Sequence, residues 1–415
     1  MSAHAAAAGS TDHVRAKVFD IRLVEADFDA ILHDLLASRL SDLEIAAFAT
    51  ACAGDRLDLD ETVALTRAMI AVGERLDWGD GFVLDKHCVG GLPGNRTSPI
   101  VVPIVAALGY RVPKTSSPAI TSPAGTADVM ATMTRVDLGL DLMRRVVEAH
   151  GGCLASGGRM HLSLADDLLI QVERPLDFDS DGQMVASILS KKAAAGSTHV
   201  LIDIPVGPTA KVRTHAAADA IARRLAFVGE GVGLRVGIHL SDDRQPVGWG
   251  IGPTLEARDV LAVLRNEADA PADLRERSLD VAGAVLDLLP GSQPGAGRAR
   301  ALDVLQSGQA LQKFLAICEA QGGFSEPPAV RYVGSFRAQG DGAILSIHDR
   351  HLARVAKLAG APRDPTAGVR CVWRVGDRVK RGDELLVVQA GTRGGLDFGL
   401  AYASAHPEIF AMGSH

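Results

Sequence analysis

From residue 82 onward, short apolar segments alternate with helical segments, and this alternation constrains the fold more than any other feature of the sequence. Strand-like segments such as FVL, YRVPK and CLAS are separated by helix-like segments such as PIVVPIVAALG and LDLMRRVVEAHGG. The segment THVLIDIPVG (198–207) is nearly all apolar, which is typical of a strand covered on both faces. Because strands that alternate with helices usually pair in parallel, we predict an α/β domain with a mostly parallel central sheet. From residue 329, short alternating strands with Gly-Asp turns predict a small β-rich C-terminal domain.

A helical pattern precedes this block. Residues 26–78 have helical periodicity, with a capping box at Ser41 and Glu44 and a second cap at Asp60. No strand pattern interrupts the region, so we predict a helical layer. The Ala-rich start lacks the basic and apolar segments of a signal peptide, and we expect residues 1–25 to form a disordered or irregular tail.

The charge balance narrows the classes of partner. The chain has 43 basic and 50 acidic residues, a net charge of −7 and no basic tract. Because nonspecific nucleic-acid binding depends on phosphate neutralisation, we expect no nucleic-acid partner. No apolar stretch reaches the length of a membrane span, and we expect no membrane association. Five scattered cysteines without a CxxC motif indicate a reduced cytoplasmic protein with neither disulfides nor a cysteine zinc site.

Three loops that follow apolar strands share glycines, hydroxyl groups and a lysine. They are KHCVGGLPGNRTS, KTSSPAITSPAGT and PVGPTAK, which carry Lys86, Lys114 and Lys211. Glycine-rich turns and helix N-termini present N–H groups to anions, and such loops gather at the carboxyl ends of parallel strands. Any one loop is equally well explained as an ordinary turn, but three in series predict a phosphate pocket. The GxxxxGK[ST] phosphate loop is absent, which disfavours ATP hydrolysis.

These segments resemble a known family. DKHCVGGLPGNRTSPIVVPIVAALG, KTSSPAITSPAGTAD and the helical ASILSKK are similar to the thymidine/pyrimidine-nucleoside phosphorylases. LPGN and LIDIPVGPTAKVRT look closer to the AMP phosphorylase-like branch, which includes bacterial proteins labelled thymidine phosphorylases. The resemblance implies that phosphate attacks C1′ of a nucleoside and releases the base and a (deoxy)ribose 1-phosphate. It also implies no cofactor and no metal, with inorganic phosphate as co-substrate.

The family likeness implies a domain organisation as well. Residues 26–78 and 163–195 would form an α domain, through which the chain is expected to form a homodimer. Residues 80–162 and 196–325 would form the α/β phosphate-binding domain. Residues 329–415 would form the β-rich C-terminal domain.

By matching position, the resemblance implies the binding residues of the site. The implied phosphate ligands are Lys86, Cys88, Gly90, Gly91, Ser98, Ser116 and Thr126. The implied ligands of the nucleoside or nucleotide are Ser117, Ala119, Ile120, Thr121, Ser122, Arg174, Ser187, Lys191 and Lys211. Ser187 and Lys191 are four residues apart and therefore share one helix face. The alternative explanation of Arg174, which we favour less, is a residue of a surface salt bridge.

Two further residues are implied catalytic groups. His87 follows Lys86 and would face C1′ or the base, or alternatively orient a neighbour through a hydrogen bond. Asp179 matches the proton donor of the AMP phosphorylase branch, a role that requires a carboxyl group still protonated near neutral pH. The neighbouring Asp177 and Asp181 favour such a state, although the acidic run is also typical of a solvated loop and helix cap.

Two positions depart from the family pattern and leave alternatives open. Cys88 stands where the family usually has Ser, and a thiol is a weaker donor to phosphate. Pro118 stands where the family usually has Arg, so a bidentate clamp is lost. The alternatives are phosphorolysis of a nucleoside 5′-monophosphate to ribose 1,5-bisphosphate, and an inactive relative that binds a nucleotide or phosphate. A phosphoribosyltransferase is disfavoured because the chain lacks an evident paired-carboxylate motif for Mg²⁺.

Overall fold

The computed structural model describes residues 9–90, 93–119, 122–157, 163–176 and 180–413, without the side chains of residues 173–176. Within these ranges the helices are α1 (Ser10–Val18), α2 (Glu25–Leu36), α3 (Asp42–Ala51), α4 (Leu59–Ala71), α5 (Ser98–Ala107), α6 (Thr126–Ala131), α7 (Leu140–His150), α8 (Leu164–Leu176), α9 (Asp181–Ala194), α10 (His215–Gly231), α11 (Pro253–Leu264), α12 (Ala272–Asp287), α13 (Ala296–Gln306), α14 (Gln309–Gln321), α15 (Asp349–Ala359) and α16 (Arg393–Ala405). The strands are β1 (Leu84–Cys88), β2 (Val112–Ser116), β3 (Gly152–Ser156), β4 (His199–Val206), β5 (Arg235–Asp242), β6 (Gly250–Ile251), β7 (Tyr332–Arg337), β8 (Gly342–Ile347), β9 (Gly368–Arg370), β10 (Arg378–Val379), β11 (Glu384–Ala390) and β12 (Phe410–Gly413). None of the described helices combines the length and apolar character needed to cross a membrane.

The chain divides into two compact units. The helical unit combines Met1–Val83, Met160–Val200 and Asp219–Val236. The sheet unit combines Leu84–Arg159, Leu201–Ala218 and Gly237–His415. The core of the helical unit contains apolar side chains from both its early and its later helices, among them Phe28, Ile31, Leu65, Leu169 and Ala186.

The N-terminal segment differs from the expected tail. The prediction that residues 1–25 are disordered or irregular is wrong for residues 10–18, which form α1. The helix is held by Lys17, whose Nζ donates to Glu61 Oε1 and to the Arg56 carbonyl, at 2.7 Å in each case. The side chains of Lys17 and Glu61 are only 1% and 4% exposed. A buried ion pair contributes no hydrophobic periodicity, which is why the sequence pattern missed this helix.

The helix caps follow the predicted chemistry at one of two sites. The capping box of α3 is confirmed, because Ser41 N–H donates to Glu44 Oε2 at 2.8 Å and Glu44 N–H donates to Ser41 Oγ at 3.4 Å. The predicted cap at Asp60 is wrong, because Asp58 caps α4 and accepts from Glu61 N–H at 2.8 Å. Asp60 lies inside the first turn, where its carboxylate accepts from Arg22 instead.

The sheet unit contains the predicted α/β domain. Strands β1, β4 and β5 lie in the order β1-β4-β5, and β2 pairs with β3 in parallel. Leu84 N–H donates to the Arg111 carbonyl at 2.8 Å, which places β2 beside β1. Seven of the eight residues of β4 are buried, as its apolar sequence predicts. The fold class is therefore confirmed: helices, an α/β domain with a parallel sheet, and a small β-rich C-terminal region.

Strand β1 ends later in the chain than the sequence predicts. The sequence predicts that the strand ends with FVL and that Lys86 and His87 lie in the following loop. Instead, β1 runs from Leu84 to Cys88 and includes both residues. Phe82 is 44% exposed, whereas Asp85 is fully buried and pairs with Lys114 at 3.5 Å. The sequence pattern predicts a loop because these strand residues are polar, but their side chains find partners within the sheet unit.

The C-terminal region has a core of its own. Its sheets have the orders β6-β9-β11-β7 and β10-β8-β12, and the neighbouring strands within them pair antiparallel. Helices α15 and α16, which the sequence pattern did not predict, add buried residues such as Leu352, Val355 and Ala403 to this core. Because β6 precedes α11 along the chain and pairs with β9, the C-terminal sheet is continuous with the α/β part of the sheet unit.

The buried ion pair of α1 generates a prediction about stability. We expect Lys17→Ala to destabilise the helical unit by about 3 kcal/mol, because Glu61 would keep a buried, unpaired charge. Arg15→Ala is the matched control, since its pair with Asp12 is exposed and such pairs contribute about 1 kcal/mol or less. Hydrogen exchange of amides in α2 and α4 measures the change, and equal effects of the two substitutions would contradict the account.

Candidate functional site

The site begins with a buried lysine in the middle of β1. Lys86 is 4% exposed, and its Nζ donates to Thr97 Oγ1 at 2.5 Å. Thr97 precedes the first residue of α5, so this bond joins the end of the strand to the N-terminus of the helix. Burial lowers the pKa of Lys86, and the nearby Asp203 opposes that effect only in part. A desolvated ammonium beside a helix N-terminus favours an anionic ligand.

Arg96 connects the first loop to the second. Its Nη1 donates to Thr126 Oγ1 at 3.3 Å, and its Nη2 donates to the Ala124 carbonyl at 2.9 Å. Its Nε donates to Glu256, whose side chain is 1% exposed. Arg96 was not among the predicted site residues. The sequence did contain a sign of it, since NRTS places an arginine in a loop otherwise made of glycines and hydroxyls.

The second loop is held closed by Asp128 of α6. One carboxylate oxygen accepts from Ala119 N–H at 2.6 Å and from Gly125 N–H at 2.8 Å. The loop passes so close to Gly125 that a Cβ there would lie 2.7 Å from both Ala119 N and the Ser117 carbonyl oxygen. Ser122 Oγ donates to the Ala124 carbonyl at 2.9 Å. The shape of this loop therefore depends on a carboxylate and on the absence of one side chain.

The third loop lies against the first. Gly90 has a φ of +104°, and a Cβ on it would be 3.4 Å from Lys211 Cβ. Gly207 is packed against Asp243, whose carbonyl oxygen would be 2.2 Å from an added Cβ. Thr209 Oγ1 donates to Asp349 Oδ2 of α15 at 3.3 Å. The loop with Lys211 is thus fixed between the first loop and the C-terminal region.

Cys88, the last residue of β1, is a half-buried neutral thiol. Burial raises the pKa of Cys88, with Asp203 adding to the effect. Asn95 Nδ2 donates to Cys88 Sγ at 3.4 Å. The Asp203 carboxylate accepts from Ser241 Oγ at 2.6 Å, and its backbone carbonyl accepts from Val89 N–H. The thiol can only be a weak hydrogen-bonding group for an anion.

Three further predicted residues lie in α5, β2 and β1, whereas several others lie outside the described part of the chain. Ser98 is the first residue of α5 and is buried, whereas Ser116 ends β2 and its Oγ donates to the Ala155 carbonyl at 3.4 Å. His87 is half-buried in β1. The predictions that lie outside the described residues or side chains are Gly91, Ile120, Thr121, Asp179 and the side chain of Arg174.

The helical unit carries two of the predicted substrate ligands. Lys191 Nζ donates to Ser187 Oγ at 3.4 Å, so the two side chains share one face of α9. Lys191 also forms an ion pair with Asp166 of α8, whose side chain is 3% exposed. These three residues form a polar cluster within the helical unit.

In the sheet unit, the three glycine-rich loops meet. Hydrogen bonds join Lys86 to Thr97 and Arg96 to Thr126, and Gly90 lies so near Lys211 that a Cβ added to the glycine would be 3.4 Å from Lys211 Cβ. Together they supply a buried lysine, a half-buried arginine, an exposed lysine, hydroxyls and the N-terminus of a helix. This combination of groups binds phosphate and other oxyanions in proteins.

The tight packing at Gly125 leads to a prediction about the site. For any reaction that uses an oxyanion bound at these loops, we expect Gly125→Ala to lower kcat/KM about 100-fold, because the second loop must shift and small misplacements have effects of that size. Gly139→Ala is the control, since a Cβ at this N-cap position meets nothing within 4 Å. Equal activities of the two variants would show that the loop geometry does not matter.

Asp243 leads to a prediction about pH. Burial, together with Asp242 and Asp203 and against the opposing Arg277, raises the pKa of Asp243 to about 7. The ordinary pKa of an unfolded Asp is about 4, so the folded chain retains a proton that the unfolded chain loses. The stability contributed by protonated Asp243 is therefore fully present below about pH 4 and is lost as the pH rises through about 7.

We expect Asp243→Asn to flatten the decrease in stability between pH 5 and pH 7, which reaches about 1.4 kcal/mol per pH unit in the wild type. Melting temperatures measured across this range test the expectation. Asp141→Asn, at an exposed position of α7, should leave the wild-type slope unchanged. If stability decreased with pH as steeply in Asp243→Asn as in the wild type, the pH dependence would come from another group.

Two family models match the chain. Residues 80–311 match "Glycosyl transferase family, a/b domain", and residues 12–73 match "Glycosyl transferase family, helical bundle domain". "Putative thymidine phosphorylase 1" of Acidovorax sp. (strain JS42) is 58% identical over 97% of this chain and 79% of its own length. "Putative thymidine phosphorylase" of Hahella chejuensis is 52% identical over 97% of this chain and 80% of its own length.

A solved structure shares the fold. The anthranilate phosphoribosyltransferase of Thermus thermophilus matches with a TM-score of 0.62 and 19% sequence identity, over 75% of this chain and 99% of that one. The family resemblance inferred from the loop motifs is confirmed by the sequence relatives. The chain therefore belongs to the glycosyl transferase family that these two models describe, and it is a pentosyltransferase.

Proposed function

We propose that this enzyme cleaves the N-glycosidic bond of a nucleoside with inorganic phosphate. The substrate is thymidine or another pyrimidine nucleoside, and the products are the free base and (deoxy)ribose 1-phosphate. The names of the relatives support a thymidine phosphorylase activity. The observation that carries the proposal is the hydrogen-bonded cluster of Lys86, Thr97, Arg96 and Thr126. It consists of two cations and two hydroxyls, of which Lys86 and Thr97 are buried and Arg96 and Thr126 are half-buried.

In the proposed reaction, phosphate is held by Lys86 and by the hydroxyls of Ser98, Ser116 and Thr126. A buried ammonium whose pKa is lowered by desolvation gains stability when a phosphate dianion binds beside it. The same contacts aim a phosphate oxygen at C1′, which replaces a bimolecular encounter with a fixed geometry. Arg96 supports this arrangement by keeping Thr126 close to the first loop.

The leaving base gains negative charge as its bond to C1′ breaks. The proposal assigns its binding to Ser187 and Lys191, which share one face of α9. A lysine ammonium stabilises negative charge that develops in the transition state, and Asp166 fixes the position of this one. His87 is proposed to face the sugar or the base, and Asp179 is the proposed proton donor if the leaving base is protonated.

A nucleoside 5′-monophosphate is the second candidate substrate. The observation in its favour is Lys211, a further cation whose Cβ lies beside Gly90 of the first loop. A second phosphate group requires a second set of donors, and the third loop offers them. Pro118 argues against this substrate because it replaces an arginine of the family pattern.

Product analysis tests the proposal. The enzyme is incubated with thymidine, uridine, AMP or CMP, with and without phosphate, and base release is followed by chromatography. We expect release of thymine or uracil that depends on phosphate, together with a sugar 1-phosphate. Base release from AMP or CMP alone, with ribose 1,5-bisphosphate, would select the second candidate. Thermal stabilisation by phosphate without release of any base would indicate an inactive relative and contradict the proposal.

Substitution of Lys86 tests the phosphate site in this assay, with Lys313 as the matched control. Lys86→Met should lower kcat/KM for phosphate at least about 100-fold, as the loss of one oxyanion-stabilising donor does. Lys313→Met, which removes a lysine of α14, should leave it unchanged. If both variants kept wild-type values, phosphate would be bound by other groups.

A further inference from the structure

A cluster of imidazole, phenol and carboxylate groups lies in the C-terminal region, and the proposed reaction does not use it. His348 precedes α15 and His351 lies in its first turn. Tyr402 lies in α16, His406 is the cap at its end, and Glu408 lies in the 3-10 turn that leads to β12. These residues are widely separated in sequence, and packing of α15 against α16 brings them together.

The geometry of three of these side chains fits a metal ion. His406 Nδ1 lies 2.8 Å from Glu408 Oε1, and His351 Nε2 lies 3.9 Å from the same oxygen. One ligand atom from each residue lies within 4.8 Å of the other two. Ligand atoms that lie about 2.0–2.1 Å from a tetrahedral Zn²⁺ are about 3.3 Å from one another. This separation falls between the 2.8 Å and 3.9 Å distances from Glu408 Oε1 to the two histidine nitrogens.

The neighbouring groups orient the two imidazoles. Tyr402 Oη lies 2.8 Å from His351 Nδ1, so a proton on Nδ1 leaves the lone pair of Nε2 facing Glu408. Metal-binding histidines usually donate their second ring N–H to an oxygen in this manner. The His406 ring lies between its neighbours, with centroids 4.9 Å from His351 and 4.1 Å from Tyr402. Both ligand nitrogens are thus held in place before an ion arrives.

We propose that His351, His406 and Glu408 bind a divalent transition-metal ion of the Zn²⁺ type, with water in the fourth position. Imidazole and carboxylate together suit zinc better than Mg²⁺ or Ca²⁺, which prefer all-oxygen sites. Glu408 is exposed and His351 and His406 are half-buried, so the ion reaches the site from solvent. The ion would tie the start of α15 to the end of α16 and to the turn before β12. It stabilises the C-terminal region and takes no part in the proposed reaction.

Equilibrium dialysis against Zn²⁺ tests the proposal on the full chain, after removal of metal with a chelator. We expect one ion per chain in the wild type. His406→Gln and Glu408→Gln should each lower the affinity at least about tenfold, since even the loss of an outer hydrogen-bond partner has an effect of 10- to 100-fold. Tyr402→Phe, which keeps the ring and removes only the hydroxyl, should lower it about tenfold. His33→Gln, at an exposed position of α2, is the control and should bind as the wild type does.

Thermal unfolding separates loss of the ion from loss of the fold. Zn²⁺ should raise the melting temperature of the wild type and of His33→Gln, and should have little effect on His406→Gln. Melting of all variants in chelator should be similar, because Glu408→Gln and Tyr402→Phe preserve side-chain size. Absence of stoichiometric binding by the wild type would overturn the proposal. Equal Zn²⁺ binding by the wild type and the ligand variants would also overturn the proposal, because the ion would then be bound by other histidines on the surface.

Discussion

The candidate anion site depends on one interaction, the bond between the buried Lys86 ammonium and the Thr97 hydroxyl. A lysine is costly to bury, and burial lowers its pKa. The sheet tolerates it because acidic groups lie nearby, Asp203 on β4 and Asp85 on β1 itself. These charges compensate the lysine only in part, which leaves the site suited to an added anion. The same bond ties β1 to the N-cap of α5, so the strand, the helix and the first glycine-rich loop share one constraint.

A scaffold of carboxylates keeps the loops in place without occupying the site. Glu256 holds Arg96, Asp128 holds the backbone of the second loop, and Asp349 holds Thr209 of the third. Each of these acidic groups pairs with a cation or accepts hydrogen bonds from a loop. The net charge of −7 is therefore compatible with a local anion site. Gly125 completes the arrangement because the second loop passes too close to its Cα atom for a side chain, and Gly90 because its φ of +104° lies in a region that favours glycine.

Local patterns predicted much of this structure. Alternation of strands and helices indicated the sheet, and the glycine and hydroxyl content of three loops indicated where they meet. Interactions between distant residues escaped prediction, since Arg96 and Glu256 are 160 positions apart and Lys17 and Glu61 are 44 apart. The end of β1 was misplaced because Asp85 and Lys86 are polar but satisfied within the sheet. The cluster of His351, His406 and Glu408 has no short spacing motif, so it emerges only from the packing of two helices.

The most direct test of the central claim is an experimental structure of the full chain with phosphate bound. The account predicts a phosphate whose oxygens lie within hydrogen-bond distance of Lys86 Nζ and of the Ser98 and Thr126 hydroxyls. Lys86 Nζ should then turn from Thr97 toward the ligand or be shared between the two. A phosphate bound at another place in the sheet unit, with the Lys86–Thr97 bond unchanged, would contradict the account.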